Sequence, residues 1–223
     1  GTLWNSGLEV QLSGFPVRSK DVSWEIIGSY NKMWSRLTEL PEGQTEYYNS
    51  DTWVYGNVRN GAMLDNPLST LTGLPYLRNK NGNILINPAT GLPVRSGNWG
   101  VIGDRNPDFT LGITNILTVK NIEISFLIDT RKGGDVFNAT EHYLTMRGLS
   151  KRTLNRETPV LVNGVYQDGF ENSATPTYSN IIIDRNRSSY YYTTPNDGFL
   201  NEEDFMEKNI DWIRLKDLTI RYK

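Results

Sequence analysis

Residues 103–140 read GDRNPDFTLGITNILTVKNIEISFLIDTRKGGDVFNAT, and this stretch decides the fold. It holds two runs of alternating apolar and polar residues, joined at Lys120-Asn121, and a glycine-rich exit. The apolar set is Phe109, Leu111, Ile113, Leu117 and Val119, then Ile122, Ile124, Phe126 and Ile128. The opposite set is mostly Thr, Gly, Asn, Glu, Ser and Asp. A period of two puts successive side chains on opposite faces of a strand, so the stretch reads as two paired strands with one greasy face. Whether that face meets a protein core or lipid is the question it raises.

Three further segments share the pattern. Leu8, Val10 and Leu12 oppose Glu9, Gln11 and Ser13. Val22, Trp24, Ile26, Gly28 and Tyr30 oppose Asp21, Ser23, Glu25, Ser29 and Asn31, with Ile27 a misfit. Leu218, Ile220 and Tyr222 oppose Asp217, Thr219 and Arg221, but Trp212, Arg214 and Lys216 share the register of Leu218. The upper part of this last strand therefore does not fit a simple apolar face.

The connections alternate in length. Arg18-Ser19-Lys20 and Lys120-Asn121 are tight, whereas Leu40–Asn106 and Arg131–Ile210 are very long and rich in Gly, Pro, Asn and Tyr. All tight turns fall at one end of the sheet and all long loops at the other. Loops beyond about 15 residues are uncommon in compact soluble domains. One-sided loop lengths are instead the pattern of an outer-membrane barrel, with short periplasmic turns and long extracellular loops. Trp24 and Trp34 lie ten residues apart. At roughly 3.3 Å per residue and a tilt near 45°, that is about 23 Å of height, matching a lipid-facing band about 25 Å tall between aromatic girdles. A soluble antiparallel sandwich gives the same alternation and stays open at this point. The expected fold class is all-β, an antiparallel slice of a transmembrane barrel whose long extracellular loops contain short helices. One helix is expected after Asp135 as cap, with the stripe Val136, Thr140, Tyr143 and Leu144 and an end at Gly148. A second is expected at Asn201-Glu202-Glu203-Asp204, with Lys208 near its end.

Composition narrows the function classes. The chain has 223 residues and a formal net charge of -2, which gives no electrostatic case for nucleic acid. It has no cysteine, so disulfides and thiolate metal sites are ruled out. No apolar run of 18 residues exists for a membrane-spanning helix. The chain opens at Gly1 with no signal peptide in view, as expected of a processed or cut chain.

Three stretches, Gly103–Ile113 (GDRNPDFTLGI), Gly133–Thr140 (GGDVFNAT) and Trp212–Tyr222 (WIRLKDLTIRY), resemble the C-terminal barrel half of the SusC/RagA family of TonB-linked outer-membrane transporters. Their order and spacing match as well, and the resemblance covers roughly the whole chain. It implies a 22-stranded barrel around an N-terminal plug, a SusD-like surface lipoprotein as lid, energy from TonB, and import of glycans or peptides. It implies a location in the outer membrane of a Gram-negative bacterium, with the lipid bilayer around the wall. Residues 1–223 are then expected to be a partial barrel of about five strands, with the plug, the TonB box and the remaining strands outside the chain.

No catalytic constellation emerges, and no cofactor is expected. His142 is the lone histidine, which excludes an HExxH zinc site and leaves a surface or packed residue. Asp104-Arg105-Asn106-Pro107-Asp108 begins like a calcium loop, but Phe109 stands at its glycine position and Asn115 at its final carboxylate. Glu202, Glu203 and Asp204 read as the solvated first turn of a helix. The loop aromatics Trp53, Tyr55, Trp99, Tyr190, Tyr191 and Tyr192 are the candidate ligand-binding residues. Aromatic faces stack on the C–H face of a sugar at low ordering cost. The bland alternative is that they pack the loops or a lid. The polar register, including Glu9, Gln11, Glu25, Glu123, Asp129, Asp217 and Arg221, is expected to face the lumen. The competing function is a secreted carbohydrate-binding or adhesion β-domain.

Overall fold

The computed structural model describes residues 1–48, 58–185 and 200–222. Five long strands form one antiparallel sheet in chain order. They are β1 (Thr2–Arg18), β2 (Val22–Glu39), β3 (Phe109–Val119), β4 (Ile122–Lys132) and β5 (Trp212–Tyr222). β3 begins where the alternation begins, while β5 begins at Trp212, above its alternating residues Leu218–Tyr222. β1 and β2 run further than expected, because their upper halves pair with each other above the start of β3. The two tight turns sit side by side: Ser19 N–H donates to Val22 O at 2.7 Å, and Lys120 N–H to Asp21 O at 2.8 Å.

Register assigns the faces. Tyr30, Gly28, Ile26, Trp24 and Val22 stand opposite Leu111, Ile113, Asn115, Leu117 and Val119. Those in turn stand opposite Thr130, Ile128, Phe126, Ile124 and Ile122. On β5 the row continues through Leu218, Ile220 and Tyr222. Leu8, Val10 and Leu12 complete it on β1. Partners across a ladder point the same way, so the alternating apolar sets of the five segments share one face.

The misfit in β5 is resolved by a β-bulge. Leu215 pairs with Ile128 and Asp217 with Leu127, leaving Lys216 as the extra residue. One extra residue reverses the alternation. Above the bulge Ile213 and Leu215 join the apolar face, while Trp212 and Arg214 join the polar one. There the Arg214 guanidinium lies 4.2 Å from the Trp212 ring and 2.8 Å from Asp129. A second bulge, between Gly14 and Val17, holds Pro16 where the ladder has no bond for it to lose. Deleting Lys216 is expected to swing Arg214 onto the apolar face and to lower the folded, heat-modifiable fraction of the full-length barrel several-fold. For a lipid-facing strand such an Arg costs from about 0–1 kcal/mol near an interface to about 2–4 kcal/mol at the midplane. An unchanged gel shift would mean that the bulge does not set the face.

No second sheet among the described residues covers the apolar face. Among the described residues, neither apolar core contains a residue of β1–β5. Leu12 is 72% exposed and Leu218 61%. Asn115 sits in the middle of this face, buried, and accepts a hydrogen bond from the Trp24 indole at 3.2 Å. Along β2, Tyr30 stacks on Phe109 at 5.5 Å below Trp34, and Trp24 lies near the tight turns. On the opposite face Asn31 donates to Glu9, and Arg221 pairs with Glu123. Ile27, the misfit of β2, shares that face with Leu127, its neighbour but one across Thr114.

Candidate functional site

The long connections form a folded layer of their own. In the first, strands 46–48, 59–63, 70–73 and 100–104 make a four-stranded sheet. In the second, residues 136–137 pair with 206–207 and residues 160–161 with 182–183. The two connections also pair with each other, Val165-Tyr166 running parallel to Leu85-Ile86. Both apolar cores are shared. One joins Val58, Leu71 and Ile102 of the first loop to Met206 and Phe137 of the second. The other joins Ile86, Ile84 and Leu92 to Val162, Ile183 and Leu200. Ile86 and Val165 are fully buried. Both clustered cores thus lie in the loops, while β1 and β5 expose large apolar side chains.

A polar latch closes the same junction. Asn201 caps a 3-10 turn, Glu202–Phe205, in a capping box with Asp204. The sequence places this start correctly, but the turn ends at Phe205 and is not solvated. Glu202 is buried, and Glu203 and Asp204 turn inward onto the first loop. Tyr76 O–H donates to Asp204 and accepts from Asn201 N–H at 3.1 Å. Tyr76 N–H donates to Glu203 at 3.0 Å, and Arg78 pairs with Glu203. Three acids in a row next to a cap look solvated in sequence because their partners lie more than 120 residues away.

Burial, helped by the adjacent Asp204 and Glu203 charges, pushes the Tyr76 phenol far above its ordinary range. Burial also pushes the Asp204 carboxyl up, against the hydrogen bonds from Tyr76 and Asn201. A carboxyl whose folded pKa is raised keeps its proton longer in the folded loops. Its contribution is complete below the ordinary value of about 3.9 and fades as pH rises through the raised value. Asp135 acts in the opposite sense. Burial raises its carboxyl, but the N–H groups of Asp104 and Asn209 and the Lys208 ammonium outweigh burial and hold it below its ordinary range. Its contribution is present above about pH 3.9 and lost as pH falls through the lowered value. Protease resistance of the loop layer is therefore expected to decline as pH rises above about 4, and Asp204→Asn, which keeps an acceptor oxygen, is expected to flatten that decline. A pH-independent digestion rate in the unmodified protein would contradict the assignment.

Of the six loop aromatics singled out from sequence, Trp99 is described. Trp53, Tyr55, Tyr190, Tyr191 and Tyr192 lie outside the described residues. Trp99 is half-buried, with the Arg59 guanidinium 3.6 Å from its ring centroid. The same guanidinium lies 4.2 Å from the Tyr48 ring and pairs with Glu46, which also accepts from Thr72 Oγ1. The Arg59 and Glu46 side chains are only 11% and 6% exposed, and stacking and hydrogen bonds hold the pair. Arg59 and Tyr48 carry no sequence signal, because their partners come from different strands of the loop sheet.

Two other expectations are adjusted. The helix α1 spans Ala139–Met146 and is capped by Asn138, not Asp135, because Val136-Phe137 is taken into the strand pair with Met206-Glu207. Its buried residues are His142 and Thr145, while Tyr143 is exposed, so the expected stripe is rotated. His142 packs between Phe137, at 5.6 Å, and Phe205, at 4.8 Å. The calcium-like segment is a turn: Asp104 accepts from Ser69 Oγ at 2.6 Å and from Asn106 N–H at 3.0 Å.

No family model matches the chain. It is similar to the TonB-dependent receptor P3 of Formosa agariphila, 21% identical over 162 residues, covering 63% of this chain and 16% of that protein. It is similar in structure to the RagAB peptide transporter, with a TM-score of 0.56 and 15% identity, covering 99% of this chain and 23% of that one. The RagAB peptide importer in its open-open state gives a TM-score of 0.56 at 16% identity, covering 99% and 22%. The chain thus spans less than a quarter of the length of each relative, and the likeness to the solved structures is one of fold.

Proposed function

We propose that this chain, a SusC/RagA-like portion of a TonB-dependent transporter, builds five strands of an outer-membrane barrel wall and a large part of its extracellular cap. The reading rests on one observation: the shared apolar face of the five-stranded sheet is uncovered, while both cores lie in the loops. In water such a face exposes far more than the few hundred Å² that monomeric proteins tolerate. Lipid turns that exposure into burial, and neighbouring strands of the closed barrel pair the free edges of β1 and β5. A secreted binding domain needs the opposite arrangement, with the sheet packed and the loops open.

On this reading the polar face lines the lumen beside a plug outside this chain, and TonB acts through that plug. The cap meets a SusD-like lipoprotein and the imported oligosaccharide or peptide, with Trp99 among the contact residues and Arg59 fixing its ring. The membrane is the outer membrane of a Gram-negative bacterium. The wall performs no covalent chemistry.

The chain has no cysteine, so single cysteines can be placed at will in it. In the full-length transporter in vesicles, bimane on Ile124→Cys and Leu218→Cys is expected to be quenched by spin-labelled lipid, and bimane on Ser125→Cys and Thr219→Cys by a water-soluble quencher. Equal aqueous quenching of both sets would overturn the membrane reading.

A further inference from the structure

The chain contains three Asn-Gly pairs, Asn60-Gly61, Asn81-Gly82 and Asn163-Gly164. In such a pair the glycine nitrogen, unshielded by a Cβ, can attack the preceding side-chain amide. Two conditions favour the attack: the glycine N–H is free, and the asparagine side chain is unheld. The fold treats the three pairs differently on both counts.

Asn60-Gly61 lies inside the loop strand 59–63, and the Asn60 amide donates to Thr70 O at 3.4 Å. Asn81-Gly82 lies in an exposed turn, but Gly82 N–H donates to Asn79 O at 2.9 Å. The Asn79 side chain braces that turn further, accepting from Asn81 N–H at 3.0 Å and from Asn83 N–H at 2.9 Å. Asn163 is exposed and belongs to no strand or helix. Among the described residues, neither its side chain nor Gly164 N–H makes a hydrogen bond.

Packing also makes the glycine of this third pair obligatory. A Cβ at position 164 would lie 2.4 Å from Ile84 O and 2.7 Å from Ile86 Cγ1. This is the seam where the second long loop runs beside the first, and no other residue lets the two backbones approach so closely. The chain is anchored on both sides of Asn163. Val162 packs in the core with Ile86 and Ile183. Gly164 O accepts from Ser179 N–H at 2.9 Å, and Val165 N–H donates to Ile84 O at 2.9 Å.

We propose that Asn163 is a self-modifying site that ages the loop layer. Gly164 N bonds to Asn163 Cγ, the Cγ–Nδ2 bond breaks, and the amide leaves as ammonia with the proton from Gly164 N. Water then opens the resulting succinimide, its hydroxyl going to one carbonyl carbon and its proton to the nitrogen. Opening on one side gives aspartate, and on the other isoaspartate. Isoaspartate carries the main chain through the side-chain carbon and adds one backbone atom between Val162 and Gly164. Both neighbours are buried and anchored, so the added atom loosens the seam, whereas aspartate adds only a charge at an exposed position. The proposal concerns the loop layer alone and stands whether or not the wall meets lipid.

The test ages the full-length transporter, folded in vesicles, at mildly alkaline pH. Peptide mapping by mass spectrometry reads conversion at each pair, and isoaspartate methyltransferase labelling reads the rearranged product. Asn163 is expected to convert about tenfold faster than Asn60 or Asn81, the scale of the hydrogen bonds that must first break at those two pairs. In denaturant the three rates are expected to converge. Asn163→Gln is expected to abolish labelling in this segment. Aged protein is expected to be cleaved faster between residues 147 and 185, while freshly prepared Asn163→Asp, which has the charge without the extra backbone atom, keeps the resistance of the unaged protein. Conversion of Asn60 or Asn81 as fast as Asn163 in the folded protein would overturn the proposal. So would aged protein that carries isoaspartate at position 163 yet resists digestion like fresh protein.

Discussion

Phe126→Arg in the full-length transporter is expected to destabilise the folded barrel in lipid vesicles by about 2–4 kcal/mol, the measured scale for arginine on a lipid-facing wall at the bilayer midplane. Phe126 lies in the row Ile26–Asn115–Phe126–Leu218, about midway between the Tyr30 row and the Val22 row. Its neighbour Ser125 points the other way, beside Ile116 and Thr219. Ser125→Arg is expected to cost less than about 1 kcal/mol, because a lumen-facing arginine keeps its water. Phe126→Leu separates the charge effect from lost packing. Equilibrium denaturant titration in vesicles gives all three values. A similar cost for both arginines would mean that the two faces see the same solvent, and the assignment of the apolar face to lipid would fall.

Deletion of residues 40–106 is expected to unfold the second long loop along with the first. The reason is the shared cores: Ile86 and Ile84 fill the space between Val162 and Ile183, and Val58, Leu71 and Ile102 pack on Met206. Removing one partner exposes the other. The point variant Ile86→Ala tests the same junction without changing chain length. A fully buried isoleucine cut to alanine costs about 2–5 kcal/mol, comparable to the whole stability of a small subdomain. Limited proteolysis of intact cells is expected to cleave between residues 147 and 185 at least about tenfold faster in either variant, following the rise in the opened population. The wall strands are expected to remain protected by their own ladders, apart from the upper edge of β2, where buried Leu37 bonds Asp65 and Asn66. Protection of the second loop after deletion of the first would show that each folds alone. Unchanged growth on the cognate nutrient, with the lid lipoprotein still co-purifying, would further show that the first loop is padding for transport.

The sequence by itself determined the wall. Alternation is a local property, so Phe109–Val119 and Ile122–Ile128 announced both their strands and their faces, and the two-residue link at Lys120-Asn121 left only antiparallel pairing. It also placed both helical starts to within a few residues, since a cap is read from adjacent residues. Three things were decided only in three dimensions. The bulge at Lys216 is defined by which residues of β4 stand opposite β5, and nothing local marks it. The loop layer draws each core from segments separated by about a hundred residues, where apolar residues show no period. The latch from Glu203 and Asp204 to Tyr76 and Arg78 turns an apparently solvated acidic run into a buried junction. Periodicity encodes which way a side chain points within its own element. Which element it meets depends on contacts between distant parts of the chain, and those exist only once the chain has folded.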